Sequence, residues 1–161
     1  MFNALLESLQ QLPFAVTIAQ SEWLFPTLET LHVMALTAVV GTVLKIDLRL
    51  LGLTDRERPF SALARQVLPW TWGCFAMAAM TGLLMFAAKA VTYWADIPFR
   101  IKFGCIALAG INMAYFHLVG ARDRASWDLG PAPWRAKLAG MTSVALWITV
   151  VAAGRWIGFT T

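Results

Sequence analysis

Two histidines occur in the 161 residues, His32 and His117, and each falls inside an apolar stretch. An imidazole held at membrane depth costs free energy unless a partner or ligand uses it, so each ring marks a candidate site. In LETLHVMALTAVVGTVLK, Glu29 and His32 are three apart and share one helix face. A carboxylate placed there would accept a hydrogen bond from one ring nitrogen, fix the tautomer and leave the other nitrogen for a metal. The pattern points to a metal or a haem on His32, with Glu29 behind it.

If the first apolar span begins near Phe25, His32 lies about 10 Å beneath one membrane surface, at roughly 1.5 Å of rise per residue. Lys102 opens the third span, in RIKF, at that same surface, and its long stem can extend inward opposite His32. Arg100 beside it and Arg155, closing the fourth span in AAGRWIGF, add countercharges for haem propionates or another anion. Met85 is the alternative axial ligand, since thioethers suit both haem iron and Cu(I). His117 ends the third span in INMAYFHLVG, near the opposite surface and on the order of 15 Å from His32 in depth. One haem between the two rings is therefore not expected. His117 is read as a second metal or cofactor ligand with Met141, as a partner of Asp47 and Arg49, or as a structural interface residue.

Met34, Met77, Met80 and Met113 read as core; a copper pathway asks for a denser Met, Cys or His cluster, so copper ranks below haem. Cys74 and Cys105 lie inside different antiparallel spans at different predicted depths and are expected to stay unpaired. The chain has no P-loop, HExxH, CxxC, GxSxG or paired-glycine dinucleotide motif, which removes the usual routes of soluble catalysis and leaves a membrane oxidoreductase or electron-transfer subunit open.

The elements that position these residues follow from hydropathy. Hydrophobic residues make up 59% and charged residues 14% of the chain, and the mean hydropathy is +0.64, too apolar for an ordinary soluble domain. Four stretches, about 25–44, 67–88, 99–119 and 136–156, reach the roughly 20 residues a bilayer requires. The expected fold is all-α: one transmembrane domain over 1–161, an antiparallel four-helix bundle in a lipid bilayer. Leu5, Leu6, Leu9 and Leu12 recur at helical spacing and predict a short N-terminal interfacial helix, broken by Pro13. The first twenty residues lack the basic start of a signal peptide, so cleavage is not expected.

Net charge is +4, but the cations bracket spans, which fits topology and not nucleic acid. Lys45, Arg49, Arg56, Arg58, Arg65, Arg122, Arg124, Arg135 and Lys137 lie in the first and third connections, against Lys89, Arg100, Lys102 and Arg155 on the other side. The positive-inside rule then places both termini outward, in the periplasm if the membrane is a bacterial inner membrane. Tyr93, Trp94 and Phe99, and Trp127 with Trp134, read as interfacial aromatics. Gly104, Ala107, Ala109 and Gly110 in the third span, and Ala76, Ala78, Ala79 and Gly82 in the second, allow close helix approach or a homo-oligomer.

The run LETLHVMALTAVVGTVLKIDLRLLG, followed by FRIKFGCIALAGINMAYFH, resembles the HemJ-type and CopD-like bacterial membrane proteins, both compact helical bundles. In HemJ-type proteins an early histidine and a lysine opening a later helix are implicated in holding a b-type haem. The resemblance implies that His32 and Lys102 take those roles, and it implies a haem-binding architecture more than one reaction. The leading expectation is thus a small b-type cytochrome relaying electrons between quinone and a redox partner. The competing ones are a non-catalytic subunit of a larger membrane complex and a CopD-like copper or solute transport protein.

Overall fold

A helix from Leu24 to Leu51, α3, begins the transmembrane bundle and stops where its last carbonyls find donors outside the helix. Gly52 adopts φ 74°, the left-handed conformation open to a residue without Cβ. Its N–H reaches Arg49 O at 3.1 Å while Leu53 N–H reaches back to Leu48 O at 2.9 Å. The computed structural model describes residues 2–55, 57–120 and 124–160, the side chains at 2, 120 and 124 aside. Arg56 and Arg122, and the side chain of Arg124, counted above among the cations of the connections, lie outside the described residues.

Before α3 come α1 (Phe2–Gln10) and α2 (Pro13–Gln20); after it come α4 (Phe60–Ala88), α5 (Ala90–Ala95), α6 (Ile97–Tyr115), a π-helical turn (Phe116–Gly120), α7 (Arg124–Trp127) and α8 (Trp134–Thr160). Four helical segments, Leu24–Leu51, Phe60–Ala88, Ile97–Val119 and Trp134–Thr160, are long and apolar enough to cross a bilayer. Each contains one of the expected spans and runs past it, because helices continue through the polar interface where hydropathy falls. The fold is a helical bundle, as expected. The single N-terminal helix is instead two: Pro13, which has no N–H to give, starts α2 at its first position.

Packing among the four long helices is unequal. α3 packs against α4 and α8, and α6 packs against α8, but among the described residues no backbone approach joins α6 to α3 or α4. α6 buries none of its residues. Close approach of α8 to α3 depends on Gly140, where an added Cβ would lie 3.4 Å from Asp47 O and from the Leu50 Cβ. Alanine should fit there, and Gly140→Leu should cost about 1–3 kcal/mol through overpacking. Thermal unfolding of the two variants in one detergent checks this, and equal melting temperatures would refute it.

The two ends are tied differently. At the end holding the 52–59 connection, Leu50, Phe60, Ala64, Phe116, Trp127, Ala132, Ala136 and Ala139 form a buried cluster, with Phe60 edge-on to Phe116 at 5.9 Å. Trp127 is therefore core, not an interfacial anchor. Asp128 caps α4: its backbone oxygen accepts from Phe60 N–H at 2.9 Å, and its carboxylate accepts from Ser61 N–H at 2.7 Å and the Ser61 hydroxyl at 2.8 Å. Arg49, read in the sequence as a loop cation or a partner of His117, is only 1% exposed. Its guanidinium donates to Arg58 O at 3.1 Å, Asp128 O at 3.2 Å and Gly130 O at 3.5 Å, binding both connections to the end of α3.

At the other end Lys89 breaks α4 from α5 with φ −137°, ψ 41°. Gln10 of α1 spans the break, donating to Ala88 O and accepting from Val91 N–H, both at 3.4 Å. Asp96 then caps α6 by accepting from Phe99 N–H at 3.2 Å. Tyr93 stacks on Phe99 and Phe99 on Phe86, with centroids 5.5 and 5.3 Å apart. Tyr93 is buried, contrary to the interfacial reading, and burial, with the Glu29 carboxylate as the second cause, pushes its hydroxyl up to about 12. Trp23, Trp94 and Trp156 at this end and Trp70, Trp72 and Trp134 at the opposite one stand exposed, the two girdles a bilayer protein carries. Met34, Met77, Met80, Met113 and Met141 are also exposed; they are not core, because a bundle this small has more apolar side chains than interior.

Candidate functional site

The backbone at His32 is ordinary helix; what is specific is the surface of α4 facing it. Gly82 lies under the ring, and an added Cβ would sit 3.0 Å from His32 Cε1 and 3.3 Å from Nδ1. The missing side chain lets the imidazole lie against α4, where Nδ1 is 2.8 Å from Ala78 O and 3.1 Å from Thr81 Oγ1. A carbonyl only accepts, so Nδ1 carries the proton and Nε2 presents its lone pair. The Thr81 hydroxyl is itself committed to Met77 O, at 2.8 Å.

Opposite Nε2 stands Lys102, whose Nζ is 3.2 Å away and donates to it. The lysine stem runs over Gly154 of α8, where an added Cβ would lie 3.6–3.8 Å from Nζ, Cε and Cδ. Four helices thus meet at one level: α3 supplies the ring, α4 its carbonyl and a glycine floor, α6 the amine, and α8 a second glycine. The lysine bridges to α3 where the α6 backbone does not, and the length of its side chain makes that reach available.

A family profile described as "Family of unknown function (DUF6644)" matches residues 23–160, nearly the whole chain and all four apolar helices. The chain belongs to DUF6644. No curated protein and no solved structure matches this DUF6644 chain.

Of the other candidates in the DUF6644 chain, Glu29 does not orient His32. It is exposed, and the role expected of it is filled by Ala78 O from the neighbouring helix. Met85 lies one turn beyond Thr81 and is half-buried, but Lys102, not Met85, faces Nε2. Arg100 and Arg155 are exposed; Arg155 lies over the Phe159 ring at 4.6 Å, one residue after the glycine that supports Lys102.

His117 stands apart, in the π-helical turn, edge-on to Phe116 at 5.6 Å. It lines a second feature, a cavity of about 330 Å³ whose wall also includes Asp47, Asn112, Met113 and Ser143. Met113, not Met141, shares that wall with it. Between the two levels, Val39, Trp147 and Val150 form a cluster bordered by both Cys74 and Cys105. The two cysteines thus border one cluster instead of lying at separate depths, and both are free thiols. Among the described residues no group of three or more His, Cys, Asp or Glu side chains is arranged to hold a metal ion.

Proposed function

We propose that this chain is a small b-type cytochrome of a bacterial inner membrane, both termini outward, relaying electrons between quinone and a redox partner. The observation that carries the reading is the His32 ring: its Nδ1–H is fixed by Ala78 O at 2.8 Å and its Nε2 lone pair is turned into the bundle. That is how a metal-binding histidine is oriented, by a hydrogen bond on the nitrogen away from the metal. Nε2 of His32 and Nζ of Lys102, 3.2 Å apart, are the two nitrogens that would face the haem. The donor chemistry fits at His32, whose Nε2 offers a lone pair, whereas Lys102 would ligate only as a neutral amine and as an ammonium supplies a countercharge. His32 would hold the haem and Lys102 would face it, with Arg100 and Arg155 as propionate partners at the same end. Bound there, haem would supply one-electron chemistry. This chain's residues fix the ring, place a cation opposite it and keep the surroundings apolar.

The absence of buried residues on α6 favours one second reading, a non-catalytic subunit whose α6 face is covered by another membrane protein. Cofactor content separates the two. In mild detergent, after expression with added haem precursor, the purified protein should show a reduced b-type spectrum and a pyridine haemochrome. His32→Ala should abolish the Soret band. A colourless wild-type protein, or a spectrum indifferent to His32→Ala, refutes the cytochrome.

A further inference from the structure

The cavity on the His117 side is lined by α3, α4, α6 and α8, and among the described residues no backbone approach joins α4 to α6, which meet through side chains such as Phe86 and Phe99 at the far end. Val39, Leu68, Phe75, Ile106 and Trp147 make its wall apolar. At about 330 Å³ it is in the range that holds a ring system with a short tail.

Among its polar groups are Asp47, Asn112, His117 and Ser143. Asp47 is 5% exposed and takes a hydrogen bond from Ser143, yet its Oδ2 has no hydrogen-bond partner. A buried carboxyl oxygen without a donor costs free energy, which a ligand's hydroxyl would recover. Asn112 donates to Ala139 O at 2.9 Å, which leaves its amide oxygen and second N–H for other partners. His117 reaches the same wall.

We propose that this cavity binds a lipid-soluble quinol, entering between α4 and α6, with a ring hydroxyl donating to Asp47 Oδ2 and the tail extending to the bilayer. A largely apolar cavity selects a hydrophobic molecule; one orphaned acceptor in its wall selects one with a hydroxyl at the head. Asp47 lies 15 residues from His32 on α3, about 22 Å along the axis at roughly 1.5 Å per residue, so this is a site separate from that of His32. It gives the quinol of the proposed function a place, and its test makes no use of haem.

The probe is 2-heptyl-4-hydroxyquinoline N-oxide, a fluorescent quinol analogue whose emission is quenched on binding, titrated into the full chain in detergent. Saturable quenching at one site per chain is expected. Asp47→Asn keeps the shape and exchanges an acceptor for a donor, and should weaken binding at least about tenfold, the worth of one hydrogen bond to a strongly polar group. Gly110→Phe provides the control for folding. Gly110 lines the cavity, and an added Cβ there meets nothing within 4 Å, so the new ring should fill the space, abolish quenching and leave thermal unfolding unchanged. Non-saturable quenching, or equal affinity in wild type and both variants, overturns the proposal even if the protein proves to hold haem. A colourless protein that binds the probe at Asp47 leaves this site standing and removes only the cytochrome.

Discussion

Arg49→Ala should lower stability by about 3 kcal/mol or more and loosen both connections at that end of the bundle. The guanidinium satisfies carbonyls of Arg58, Asp128 and Gly130, on two loops far apart in sequence. Its removal takes the guanidinium donor from each, leaving Asp128 O with the Phe60 N–H, at about 1–3 kcal/mol for each group that finds no substitute. The loss spreads, because the loop that holds Asp128 also caps α4 through Ser61. For a chain of this size the melting temperature should fall on the order of 10 °C, and the 52–59 connection should become cleavable by added protease. Arg49→Lys should recover only part, since an ammonium lacks the planar fork that reaches several carbonyls at once. A melting temperature within a degree of wild type for Arg49→Ala would mean that the loops hold by apolar packing alone.

Gly82→Val is the second large effect, and its target is the ring of His32. The Cβ alone would press on Cε1 at 3.0 Å and on Nδ1 at 3.3 Å, and the two methyl groups add volume behind it. Backbone cannot yield as a flexible side chain can, so the imidazole must leave α4. Nδ1–H then loses Ala78 O and Nε2 leaves Lys102. The fold should survive at a cost of about 1–3 kcal/mol, but the ring should become free to react. Acylation of His32 by diethyl pyrocarbonate, followed by mass spectrometry, should accelerate at least several-fold, and any haem bound by the wild type should fall to the level of His32→Ala. Unchanged His32 reactivity in a folded Gly82→Val protein would show that the ring does not depend on the glycine floor.

The parts legible in the sequence were those fixed by one-dimensional quantities. Apolar length marked the four long helices, and counting residues along the parallel first and third spans set Lys102 at the level of His32. What failed was the choice of partner. Glu29 shares a helix face with His32, and spacing alone favoured it, but the donor on Nδ1 is satisfied by a carbonyl of another helix. No residue type announces a carbonyl. Gly82 and Gly154 were visible only as small residues; that one supports a ring and the other a lysine stem depends on how α4 and α8 lie. Arg49 read as a loop cation because it sits at a helix end, and its burial follows from two connections folding over it. Asp47 read as a partner for His117, and instead its orphaned oxygen and the histidine share a cavity wall. Trp127 and Tyr93 fell into the core because the ends of this bundle are closed by packed loops and short helices, a tertiary result that the composition of a short aromatic segment does not contain.

Since no backbone approach joins α4 to α6 among the described residues, a ligand that enters the cavity between them comes out of the surrounding amphiphile. The concentration that governs its filling is then a mole fraction within one leaflet, not a concentration in water. A scarce but strongly membrane-partitioned molecule can keep it full, a water-soluble analogue must first dissolve in lipid, and exchanging the detergent changes the solvent from which the cavity fills.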